Sequence, residues 1–228
     1  MIEYIFLDLD DTILDFHWAE NQAITQTMTA FGIDPSEENK ELYRKINLDH
    51  WKRMEQGELT MEQLKTGRFA TLLQSLDMTG DPDAMAETYW QWLGRGHCFL
   101  PGAEETVKTL AKNYRLFLAT NGNPPVQYSR LESADLSQYF EKIFISYEIG
   151  YRKPQKEFFD HCFDQISGFD KSRAIMIGDS LSSDIQGGIN AGILTCWVNP
   201  DHREPHLDIL PDCQIETLSQ LLPILAAL

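Results

Sequence analysis

The stretch "FLDLDDTILD", residues 6–15, sets four aspartates into ten residues directly after the apolar run "YIF". The run 2–9, "IEYIFLDL", has the length and β-rich composition of a buried strand, and the acidic knot falls at its carboxyl end. In an open α/β sheet that end, at the point where the strand order reverses, is where ligands bind. Side chains alternate along a strand, so Asp8 and Asp10 are expected to lean one way and Asp11 another. Two ionised carboxylates side by side repel by about 1–4 kcal/mol at the effective dielectric of a protein surface. A divalent cation, a nearby lysine or a proton held on one acid would relieve that repulsion.

Further short apolar runs lie at 114–119 ("YRLFLA"), 142–146 ("KIFIS"), 173–177 ("RAIMI") and 193–198 ("ILTCWV"), mostly with helix-like segments between them. This alternation predicts a parallel sheet covered by helices. The hundred or so residues between the first two runs are patterned as helices instead, near 17–31, 36–56, 60–77 and 82–96. Their punctuation is "GIDPSEE", "QGELT" and "TGDPD", in which Pro, Gly and capping Ser, Thr or Asp start and stop helices. "LPGAEET" at 100–106 marks the return to the sheet. The expected fold is α/β: a Rossmann-like three-layer parallel sheet, residues 1–15 and 99–228, with an inserted α-helical cap domain, residues 16–98.

The chain has 228 residues, of which 43% are hydrophobic, enough for a substantial core. Lys+Arg of 19 against Asp+Glu of 35 gives a formal charge of -16, which argues against nucleic acid as a partner. A small phosphorylated ligand is compatible with this charge where a metal ion and a few cations reverse the local field. Cys98, Cys162, Cys196 and Cys213 show no CxxC spacing and read as reduced core residues. The amino terminus lacks a signal-peptide pattern, and no run reaches membrane-spanning length, so a cytoplasmic location and no membrane partner are expected. "GGINAG" at 187–192 does not follow a strand and reads as close helix packing with a left-handed helix end at Gly192.

Each remaining chemical feature falls at the end of an expected strand. "LATNGN" brings Thr120, Asn121 and Gly122, a hydroxyl, an amide and backbone N–H groups suited to phosphate oxygens. "YRKP" brings Lys153, and "IGDSLSSD" brings Asp179 and Asp184. With Asp8, Asp10 and Thr12 forming DxDxT, these four blocks resemble the motifs of the haloacid dehalogenase (HAD) superfamily hydrolases.

That resemblance implies a mechanism. Asp8 would attack phosphorus and form an aspartyl-phosphate, and Asp10 would act as general acid and then as base. Mg2+ would be held by the Asp8 carboxylate, the Asp10 main-chain carbonyl and Asp179, with Asp184 as ligand or close neighbour. Thr120 and Lys153 would bind the transferring phosphoryl group, and Thr12, Asn121 and Gly122 would line its site. The dehalogenating branch lacks the second aspartate of the first motif, so Asp10 favours phosphate chemistry.

The insertion resembles the helical cap of the branch containing phosphoglycolate phosphatases and β-phosphoglucomutase, which would close over the site and select the substrate. "DDTILDF", "QGELTMEQLKTGRF", "LESADLSQYF" and "GDSLSSDIQGGINAGILTCWVNPDHRE" resemble more closely the pyrimidine 5'-nucleotidases that hydrolyse noncanonical nucleoside monophosphates. The expected substrate is a pyrimidine nucleoside monophosphate, and the expected protein is a monomer or weak dimer. Arg68, Phe69, Phe16, Trp18 and Trp51 are candidates for contacts with a base. The alternatives are a phosphoglycolate or sugar-phosphate phosphatase, a phosphomutase, and a non-catalytic binding protein of the same fold.

Overall fold

Strand β1, Tyr4–Leu7, is buried over its whole length, and its alternating side chains enter two different cores. Ile5 and Leu7 pack with Leu116, Leu118, Ile175 and Ile177 on one face of the sheet. Tyr4 and Phe6 pack with Phe117, Ala119, Ala174 and Met176 on the other. Burial on both faces is why the strands read as continuous apolar runs. The structure, a computed structural model, describes residues 1–205 and 208–227.

Helices α1 (Phe16–Ala30), α2 (Glu37–Glu55), α3 (Met61–Ser75) and α4 (Pro82–Gly94) follow β1, then α5 (Ala103–Leu110) and β2 (Arg115–Thr120). Next come α6 (Pro124–Ser133), β3 (Lys142–Ile145), α7 (Ser146–Ile149), α8 (Lys156–Asp164) and β4 (Ala174–Gly178). A π-type turn at Leu181–Ile185 leads into α9 (Gln186–Ala191), and β5 (Leu194–Val198), β6 (Cys213–Ile215) and α10 (Leu221–Ala227) complete the described chain. The sheet is parallel throughout, in the order β3-β2-β1-β4-β5-β6. The order therefore reverses between β1 and β4, which places Asp8 and Asp179, the residues that follow these two strands, at the switch point.

Five of the six strands lie within or beside the apolar runs. Strand β6 is the exception, because three residues at a sheet edge carry too short a pattern to stand out. Gly192 ends α9 with φ 73°, the expected left-handed cap. All four cysteines are unpaired, and Cys162 and Cys196 are buried. Among the described residues no helix is long and apolar enough to cross a membrane.

The chain forms two compact units, residues 1–16 with 97–228, and residues 17–96. The helical unit starts its elements where its punctuation lies. Thr60 forms a capping box with Gln63, and Asp81 caps α4 through the N–H groups of Asp83 and Ala84. Its core groups Tyr43, Phe69 and Tyr89 with ring centroids 5.5–5.6 Å apart, Tyr43 stacked on Phe69 and Tyr89 tilted against both. Phe69, considered for base stacking, is fully buried in this core and has no face left for a ligand. Arg68 is buried beside it, 4.6 Å from the Tyr89 ring, and donates to Asn47, which in turn donates to Glu20. Trp18 is 40% exposed.

Candidate active site

Strand β1 stops at Leu7, and the chain turns at once. Asp8 N–H still donates to the Ile177 carbonyl, extending the ladder by one bond, while Asp11 takes φ 53° and accepts the amide hydrogen of Phe16 at the start of α1. Asp11 thus shapes the turn and helix entry, the ordinary role of an aspartate at such a position.

Asp8 lies at the centre of a buried charge cluster. Lys153 Nζ donates to Asp8 Oδ1, Asp184 Oδ1 and the Ala119 carbonyl, each at 2.6 Å. All three ammonium hydrogens are therefore engaged. Burial alone would push the lysine pKa down, but Asp184 and Asp8 outweigh it and raise it above the usual lysine value. Burial pushes the Asp8 carboxyl up to about 7 against the pull of Lys153, with Asp184 and Asp10 adding to the rise. Asp179 is also held well above the normal carboxylate range, by burial and then by Asp184 and Asp8.

Asp8, Asp179 and Asp184 each offer an oxygen within 4.8 Å of the others. Three hard carboxylate ligands face a single ammonium, so their full ionisation would leave net negative charge in a poorly solvated place. This donor set fits a divalent cation of the magnesium type. Asp184 reaches it because residue 178 is glycine, since a Cβ there would run into the Asp184 carboxylate. Its Oδ2 accepts from Ser180 N–H, and Trp197 Nε1 donates to the Asp179 carbonyl at 2.8 Å.

The Asp10 side chain takes a different direction. Beyond the end of β1 strand alternation no longer applies, and Asp10 turns to α6, where Arg130 Nη1 donates to its Oδ1 and Gln127 Nε2 donates to its Oδ2 at 2.8 Å. The two acids of the first motif thus have separate cations, Lys153 for Asp8 and Arg130 for Asp10. Neither Gln127 nor Arg130 was singled out from the sequence. Their one visible sign is an i, i+3 polar pair on a helix that follows a strand-end motif, and such pairs are common on solvated surfaces.

Thr120 Oγ1 accepts from Gly122 N–H at 3.1 Å and from Gln127 Nε2 at 2.9 Å. With its acceptor positions filled, its own hydrogen remains for donation. The Gly122 N–H, expected to meet phosphate, is therefore turned to Thr120, and a Cβ at 122 would collide with the Gln127 amide. Asn121 also differs from its expected role. Its Nδ2 donates to the Lys153 carbonyl at 2.9 Å and its Oδ1 accepts from Lys153 N–H at 3.1 Å, a two-point clamp that aims the lysine. Thr12 is buried, and its hydroxyl has no partner among the described residues. Phe16, another candidate for base contact, has its ring 5.9 Å from the Arg130 guanidinium.

Residues 2–192 match the haloacid dehalogenase-like hydrolase family. The chain is 36% identical over 224 residues to the pyrimidine 5'-nucleotidase PynA of Streptococcus pneumoniae, covering 98% of this chain and 94% of that one. It is 32% identical over 219 residues to the pyrimidine 5'-nucleotidase YjjG of Escherichia coli, covering 96% of each. The structure of the HAD-hydrolase YfnB of Bacillus subtilis, which contains magnesium, superposes with a TM-score of 0.94 at 35% identity, covering 98% of both chains. Motifs, strand order and these matches over nearly the full length agree, and the chain belongs to the haloacid dehalogenase-like hydrolases.

Proposed function

We propose that this protein is a magnesium-dependent phosphomonoester hydrolase acting on pyrimidine nucleoside 5'-monophosphates. The observation that carries the chemistry is the division of labour between two aspartates of one motif. Asp8 belongs to the lysine-bridged acidic trio, and Asp10 stands apart on α6. One is suited to bond to phosphorus and the other to move a proton. The pyrimidine preference rests on the relatives named pyrimidine 5'-nucleotidase, with which the similarity extends over nearly the whole chain.

In the first step an Asp8 oxygen attacks phosphorus, the ester P–O bond breaks, and a proton passes from Asp10 to the departing 5'-oxygen. In the second, water gives a proton to Asp10 and attacks phosphorus, the Asp8–phosphorus bond breaks, and phosphate leaves. Lys153 keeps Asp8 aimed and offsets charge on the transferring group, and Thr120 donates its hydroxyl hydrogen to a phosphoryl oxygen. Asp8, Asp179, Asp184 and the Asp10 carbonyl would hold magnesium, whose charge would favour ionised carboxylates and stabilise the oxygens of the phosphoryl group. We assign the helical unit, residues 17–96, the part of a cap that selects substrate. Four unpaired cysteines accord with a cytoplasmic enzyme.

The test is phosphate release from nucleoside monophosphates, sugar phosphates and phosphoglycolate, with magnesium and with chelator, using Asp8→Asn as the blank. Magnesium-dependent preference for pyrimidine monophosphates is the expected result. Activity confined to sugar phosphates or phosphoglycolate would keep the chemistry and remove the nucleotidase assignment.

A further inference from the structure

We infer that Gln127 and Arg130, one turn apart on α6, are positioning residues that aim the Asp10 carboxylate for proton transfer. The inference rests on the mechanism proposed above. Between them the two side chains hold both Asp10 oxygens, Arg130 on Oδ1 and Gln127 on Oδ2. A carboxylate offers about four lone-pair positions, so two remain for the proton that moves. Gln127 uses its second amide hydrogen on Thr120 Oγ1, and its own carbonyl faces Arg130 Nη1 at 3.4 Å. One amide thereby links the proton-transfer acid to the phosphoryl-binding hydroxyl.

Burial argues that this arrangement serves more than folding. Arg130 is wholly buried, and its Nε and Nη2 have no hydrogen-bond partner among the described residues. A buried guanidinium with two unpaired nitrogens costs stability that an apolar side chain of similar size would not. Its ion-pair partner is Asp10, whose side chain is 27% exposed. The geometry therefore keeps a costly buried cation where it fixes one partly exposed acid. The glycine at 122 fits the same account, because any larger residue would displace the Gln127 amide.

The test compares wild type, Gln127→Met and Arg130→Met in magnesium on two esters, a pyrimidine nucleoside monophosphate and p-nitrophenyl phosphate. The nucleoside 5'-oxygen needs a proton as it leaves, whereas nitrophenolate departs as a stable anion. The expected result is a kcat on the nucleotide lower by about 10- to 100-fold, part of the whole worth of a general acid–base group, with KM within about twofold. On the nitrophenyl ester a rapid first burst of nitrophenolate persists near the wild-type rate, followed by slow turnover, because only the second step still needs Asp10. Gln127→Met leaves no buried charge behind and serves where Arg130→Met folds poorly. Equal losses on both esters including the burst, a change in KM alone, or unchanged kinetics would overturn the inference while wild-type activity and an inert Asp8→Asn upheld the mechanism. A wild type inert on both esters, or an Asp8→Asn variant that turns over, would overturn the mechanism and the inference together.

Discussion

Each unit of this protein buries one arginine, and the two make a natural pair. Arg68 in the helical unit and Arg130 in the α/β unit are both essentially inaccessible, and in both Nε and Nη2 lack a hydrogen-bond partner among the described residues while Nη1 binds an oxygen. Both lie near aromatic rings, Arg68 over Tyr89 and Arg130 near Phe16. They differ in how they reach an acid. Arg68 acts through a neutral relay, donating to Asn47 at 2.8 Å, which donates to Glu20 at 2.7 Å, and all three residues are buried. Arg130 pairs directly with Asp10, which keeps about a quarter of its side-chain surface open. A closed relay holds helices together. A direct pair that ends on a partly exposed acid can take part in chemistry.

The strongest way to break this contrast is to remove the two acids in turn. Asp10→Asn should lower kcat on a nucleoside monophosphate by about 10²–10⁴-fold, the range for a lost general acid–base group, with little change in KM, read by steady-state phosphate release. Glu20→Gln should leave kcat within about threefold, typical of a residue outside the reacting set. A collapse in kcat for Glu20→Gln would make the two networks alike.

Stability should divide the other way. Arg68→Met strands the Glu20 carboxylate in the interior, and chemical denaturation should reveal a loss of about 2–4 kcal/mol with kcat per folded molecule retained. The loss should shrink when Glu20→Gln is added. A retained fold with lost turnover would instead assign Arg68 to the substrate.

Magnesium sharpens the contrast from the side of the acidic trio. Saturation at about a hundred times its Kd should stabilise the chain by about 2.7 kcal/mol if the ion binds only the folded state. The corresponding rise in Tm should fall in Asp179→Asn and persist in Glu20→Gln. A rise that survives removal of Asp179 would locate the ion elsewhere.

The smallest expected effect is a pH dependence in the helical unit. Burial raises the Glu20 carboxyl above its ordinary 4.5 against the pull of Arg68. The folded chain therefore keeps that proton at pH values where the unfolded chain has lost it. The associated stabilisation is complete below 4.5 and fades as pH rises through the folded-state value. Glu20→Gln lacks this loss, so its Tm relative to wild type should rise from about pH 4 to about pH 8. A constant difference across that range would show that Glu20 does not titrate differently on folding.

The sequence by itself determined the strands from β1 to β5, the four helices of the insertion and the chemical blocks at the strand ends. These features are local: apolar periodicity, capping residues and turn glycines act within a few residues, and in a parallel sheet the carboxyl ends of successive strands fall on one edge whatever the detailed packing. Tertiary structure alone decided the partner of Asp10, which is 120 residues from Arg130 and 117 from Gln127. It also decided that Asn121 clamps Lys153 across 32 residues and that Phe69 is core. The physical reason is that an arginine, glutamine or phenylalanine on a helix reads the same whether solvated or buried. Which of these it is depends on distant segments that remove its water and supply its partners.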